Sequence, residues 1–148
     1  MTYFADLTPY EYRASIGPFS ALLNVGWLEP GHPVPSGPVD PLVVDRLAQL
    51  CGTSPVAVTR GAYRCRFSPC RENRVVAAVV VDGRRWALGG AEIWLPCRDG
   101  TALAAPNMVH HYVTVHGYRP PDEFLEAIMG PDAGSFDEKA WVAWLSRN

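Results

Sequence analysis

The chain reads as an α+β domain: an antiparallel meander of about four strands, flanked by helices and carrying a candidate zinc knuckle. Three observations predict this. Apolar residues recur at helical spacing on either side of the middle, around Leu42, Val43, Leu47 and Leu50 and around Trp141, Trp144 and Leu145. Between them lie short apolar and β-branched runs joined by the turn pairs Asp82-Gly83 and Asp99-Gly100. Helices grouped before and after a run of strands define the α+β class. The 148 residues amount to one domain, long enough to bury a core without covalent staples.

The elements follow in order. Thr8-Pro9-Tyr10-Glu11 has the signals of a capped helix start, with Thr8 as cap, Pro9 at the first helical position and Glu11 reaching back. That helix is short, because Ser15 to Pro18 breaks it. Residues 24–39 are rich in Pro and Gly and form a loop, either anchored by Trp27 or flexible. Asp40-Pro41 opens a longer helix that Gly52 stops. Pro55 to Arg60 reads as a strand and Gly61 to Arg74 as a loop or knuckle with two cysteines. Val75 to Val81 and Arg84 to Leu88 make one hairpin, and Ala91 to Pro96 and Thr101 to Ala105 the next. Past Pro106 the period becomes helical: Met108, Tyr112 and Val115 share a face that ends at Gly117. Pro120-Pro121-Asp122-Glu123 starts another helix, with Phe124, Leu125, Ile128 and Met129 as its apolar face. Ser135 and Glu138 form a capping box for a C-terminal helix. Trp86, Trp94, Trp141 and Trp144 are expected in the core. Core packing is also the default for Tyr10, Tyr12, Trp27, Tyr112 and Tyr118, with a pocket or partner surface as the alternative.

Composition narrows the function classes. With 48% hydrophobic and 19% charged residues the chain is not a disordered one. A net charge of −2 gives no general attraction to nucleic acid or anionic lipid. No apolar run approaches the roughly 20 residues that span a bilayer, and Met1 to Asp6 lacks the regions of a secretory signal. A cytoplasmic location is therefore expected, where Cys51, Cys65, Cys70 and Cys97 stay reduced. Arg60, Arg64, Arg66, Arg71 and Arg74 make a basic stretch: a solvated loop by default, with recognition of a phosphate-bearing ligand by Arg60 and Arg64 as the alternative.

The most informative pattern is the metal-ligating one. Four residues separate Cys65 from Cys70, four separate His111 from His116, and 40 lie between the pairs. Thiolate sulfur and neutral imidazole are the ligands a tetrahedral Zn2+ prefers. An insert that long would make the ion a staple between the strand region and the following helix. His110 and His32 are alternate ligands, and Cys51 and Cys97 can also enter. Four protein ligands imply a structural ion; three leave a position for an activated water. Ordinary buried cysteines and hydrogen-bonded histidines are the bland alternative.

Other chemistry has weaker support. The chain contains no HExxH, no deaminase Pro-Cys-x-x-Cys, no GxxxxGK loop and no GxSxG elbow. Cys97 is a candidate nucleophile beside His110, His111 or His116. Glu92 is a candidate general base next to a metal, although strand alternation favours a solvent-facing side chain.

Several stretches resemble a small uncharacterised bacterial family, a domain of unknown function. They are Ala5 to Tyr12, Asn24 to Leu28, Gly31-His32, Thr59-Arg60-Gly61, Ala91-Glu92-Ile93, Ala105-Pro106-Asn107, His111-Tyr112-Val113, His116-Gly117-Tyr118 and Pro120 to Phe124. The resemblance extends to about residue 129 and implies no activity. Relative to that family's pattern, Tyr63 replaces a histidine and the two knuckle cysteines stand further apart. The expected function is a zinc-stapled binding, adaptor or regulatory protein, with an immunity-type role toward a protein partner included. The alternative is a small metal-dependent hydrolase with a three-ligand zinc.

Overall fold

A computed structural model of the chain describes residues 2–11 and 21–147. The expected helix break at Ser15 to Pro18 lies outside the described residues. In chain order the elements are β1 (Leu22–Asn24), α1 (Pro41–Thr53), β2 (Ala78–Val81), β3 (Arg84–Ala87), β4 (Glu92–Pro96), β5 (Ala102–Pro106), α2 (Val109–His116), α3 (Asp122–Ile128) and α4 (Glu138–Arg147). The fold is α+β.

Helix boundaries follow local chemistry. Asp40 caps α1, its carboxylate accepting the Leu42 N–H at 2.8 Å, and Pro41 occupies the first position. The β2–β3 turn places Asp82 and Gly83 at positive φ, as a two-residue hairpin requires. Thr101 closes the β4–β5 turn by donating its N–H and its hydroxyl to Asp99.

The four strands of the expected meander are all present, but they lie in two sheets. β2 and β3 pair with each other alone, while β4 and β5 join β1 in the order β1-β5-β4. β1 runs parallel to β5, with Leu23 opposite Leu103. Pro55 to Arg60 is not a strand: it contributes one isolated bridge, Val56 to Glu92. Residues 8–11 are not a helix start either. The Asn24 N–H donates to the Thr8 carbonyl and the Tyr10 N–H to that of Leu22, so this segment lies along β1. Pairing with a strand outweighs a capping signal, since a single cap contributes only about 1 kcal/mol.

The three-stranded sheet is covered on both faces, and strand alternation divides the core accordingly. Ile93, Leu95, Leu103 and Ala105 face α1, α2 and α3 together with Leu47, Leu50, Tyr112 and Phe124. Trp94, Ala102 and Ala104 face the other way, against Tyr10, Trp27, Trp141 and Leu145. Trp86 and Trp144 pack at the edges of these clusters. Val115 and Met129, expected on apolar helix faces, are exposed. No helix among the described residues is long and apolar enough to cross a membrane.

The N-terminal segment is fixed by Asp6, which accepts the Gly26 N–H and the hydroxyl of the buried Tyr118. Burial pushes the Asp6 carboxyl above its ordinary range, against the opposing pull of those two donors. The folded state therefore holds the Asp6 proton to a higher pH than the unfolded chain does. The Asp6 contribution to stability is largest below the ordinary aspartate pKa and declines as pH rises through the folded value. Urea denaturation should accordingly show wild type favoured over Asp6→Asn by more at pH 4 than at pH 7. A difference that is flat, or that grows with pH, would contradict this assignment.

Candidate metal centre

The candidate ligands come from two elements. Cys65 and Cys70 lie at either end of a tight turn closed by the Arg71 N–H to the Phe67 carbonyl and the Val75 N–H to that of Cys70. The Phe67 backbone N–H points at the Cys65 sulfur. His111 and His116 belong to α2. Residues five apart on an ideal α-helix point about 140° away from each other, yet the two imidazole centroids are 5.1 Å apart. The end of the helix resolves this. The Gly117 N–H bonds the carbonyl of Tyr112, five residues back, so the closing turn is wider than an α turn. Gly117 sits at φ +69°, in the left-handed region, where glycine ends a helix without strain.

Together these place one ligand atom from each of Cys65, Cys70, His111 and His116 within 4.8 Å of all the others. The Cys65 Sγ is 3.2 Å from His116 Nε2, and the Cys70 Sγ is 3.6 Å from His111 Nε2 and 3.5 Å from His116 Nε2. Cys65, Cys70 and His111 are buried and His116 is half-buried. Phe67 covers the His116 ring at 5.2 Å. Burial pushes the Cys65 thiol up to about 11, with the neighbouring Cys70 adding to the shift. Burial also lowers both imidazoles below their usual value. Protons alone thus leave the Cys65 thiol and both imidazoles neutral. A dication with two thiolates and two neutral imidazoles would also be neutral overall, which suits a buried site.

Turn and helix are held in register through Gly89. Its N–H donates to Asn107 Oδ1 just before α2, and its carbonyl accepts the Tyr63 N–H two residues before Cys65. The sequence shows Gly89-Gly90 only as a break in the strand pattern, and Asn107 only as part of the Ala105-Pro106-Asn107 stretch of the family resemblance, with no role attached.

The other candidate residues lie elsewhere. His32 is exposed and stacks on Tyr3 at 3.8 Å. The His110 imidazole lies near Asp45, and the His110 backbone N–H points at the buried Cys51 sulfur of α1. Cys51 is pushed up to about 12 by burial. Glu92 is a correction: it is buried, not solvent-facing, because the second sheet face is covered too. Its carboxylate accepts from the Tyr10 hydroxyl at 2.9 and 3.1 Å and from the Trp94 indole at 3.0 Å, and it is not among the groups that converge at the Cys/His cluster. Cys97 is also outside that cluster. Burial, with the carboxylates of Asp99, Glu123 and Glu126, raises its thiol, the opposite of what a nucleophile needs. Arg60 and Arg64 are exposed and line neither the cleft beside the β4–β5 turn nor the one bounded by Trp27, Tyr63 and Glu92. Arg66 pairs with Glu29 at 3.3 Å.

Fold and site define an α+β domain with a Cys2His2 cluster positioned to bind a metal ion. The chain belongs to the family described as "Domain of unknown function (DUF7919)", which matches residues 2–129. α4 lies beyond the match. No curated protein and no solved structure matches the chain.

Proposed function

We propose that this domain holds a structural zinc ion and acts as a binding, adaptor or regulatory module toward a protein partner. Cys65, Cys70, His111 and His116 supply all four ligands, leaving no position for a catalytic water. The observation that carries the reading is the convergence of two sulfurs and two imidazole nitrogens from segments 40 residues apart. A tetrahedral zinc with ordinary Zn–S and Zn–N bonds has S···N edges of about 3.6 Å. Three of the four S···N separations here run from 3.2 to 3.6 Å, and all four ligand atoms lie within 4.8 Å of one another. Zinc is favoured over harder cations because thiolate and imidazole are its preferred ligands. The ion staples the 65–70 turn to α2, and a reducing cytoplasm keeps the thiols available. A negative net charge argues for a protein rather than a nucleic-acid partner.

Elemental analysis of the purified chain should find one zinc per molecule. Cobalt exchanged into the site should give the visible and thiolate charge-transfer bands of a tetrahedral S2N2 centre. Substoichiometric metal that dialysis removes, or a cobalt spectrum without thiolate bands, would reject the zinc assignment.

A further inference from the structure

A second site lies away from the Cys/His cluster. It is an open cleft of about 890 Å³ between the β4–β5 turn and the end of α3. Its apolar surface includes Leu7, Leu23, Leu103, Ala127 and Met129. Leu7 and Met129 leave 38% and 54% of their surface exposed. Large apolar side chains left open beside a concavity are a recurrent feature of binding surfaces.

The charge in the cleft is one-sided. Glu123 and Glu126 are three residues apart on α3 and so share a face. Asp99 comes from the strand turn and Asp132 from the segment after α3. Asp99, Glu123 and Glu126 line the same cleft as Cys97, and each helps to raise its thiol, which is shifted chiefly by burial. The cleft's one basic residue is Arg98. Four carboxylates and one guanidinium leave the cleft at −3, against −2 for the whole chain, so the rest of the molecule is positive on balance. Asp99 is engaged in closing its own turn. Glu123, Glu126 and Asp132 form no ion pair among the described residues.

We infer that this cleft binds a segment of a partner protein that presents an arginine flanked by apolar residues. Charge selects a cation and excludes nucleic acid. The planar guanidinium fork suits two acids on one helix face, and apolar flanking residues cover the leucine and methionine surface. A cleft of about 890 Å³ with apolar side chains beside its acids is far larger than a compact ion needs, so the complementary ligand is a stretch of chain. The inference rests on the reading of the domain as a binding module and is independent of the zinc.

The test uses the full chain as purified, 15N-labelled, titrated with acetyl-Ala-Leu-Arg-Leu-Ala-amide. Amide shifts should concentrate at residues 96–103 and 123–132. Half a molar salt should weaken binding at least tenfold, and so should Glu123→Gln with Glu126→Gln, both exposed positions. The charge-reversed pair Glu123→Lys with Glu126→Lys should instead prefer the peptide with glutamate in place of arginine. Shifts scattered elsewhere, equal binding of the glutamate peptide to wild type, or no change with salt would overturn the proposal. Butylguanidine binding as tightly as the peptide would overturn the peptide occupant. A chain that keeps its zinc yet ignores the peptide would refute this inference and leave the metal assignment standing.

Discussion

Stripping the metal with a chelator is expected to lower the melting temperature by about 10 °C or more. A ligand present at a thousandfold its dissociation constant stabilises the folded state by about 4 kcal/mol. In a domain of this size each kilocalorie shifts the midpoint by about 2–4 °C or somewhat more. The domain has a two-sided core of its own, so it should remain folded when apo, unlike a minimal zinc finger. Disorder on metal loss should be confined to the 65–70 turn and the end of α2, visible as faster amide exchange there. Cys70→Ser should reproduce the loss, while Cys97→Ser, outside the cluster, should retain full metal content. A melting curve indifferent to both chelator and Cys70→Ser would remove the staple.

Gly89→Ala should cost about 2–4 kcal/mol, a large part of a typical domain's stability. Gly89 has φ +107°, and a Cβ built there would meet the Tyr63 carbonyl oxygen, a contact no side-chain rearrangement relieves. Backbone strain contributes about 1–3 kcal/mol. Displacing the Tyr63 segment also forfeits its 2.8 Å hydrogen bond to Gly89, about 1 kcal/mol more. Since Tyr63 leads into Cys65, the variant should also hold zinc more weakly. Gly61→Ala, with open space around its Cβ and no positive φ, is the matched control and should be nearly neutral. Urea denaturation of the two variants decides: similar midpoints would mean that Gly89 does not set the approach of these segments.

The same contrast between local and distant causes marks what was legible beforehand. Asp40-Pro41, Pro121-Asp122 and Gly117 announce helix ends because a cap acts on its own turn. Asp82-Gly83 and Asp99-Gly100 announce hairpins for the same reason. Cys65, Cys70, His111 and His116 stand out by ligand type and spacing.

Sequence alone pointed to the α+β class, most element positions and the two Cys/His pairs as leading candidates, since each rests on residue type and spacing within a few residues. The choice of those four over His110, His32, Cys51 and Cys97 came from the fold. Tertiary structure decided that β1 joins β5 in parallel, that the strands divide between two sheets, and that both faces of one sheet are covered, which buries Glu92. It also decided that the cysteine turn meets the widened end of α2, and that acids from three segments share one cleft. Those outcomes depend on which surfaces pack across tens of residues, and no local periodicity encodes such a choice.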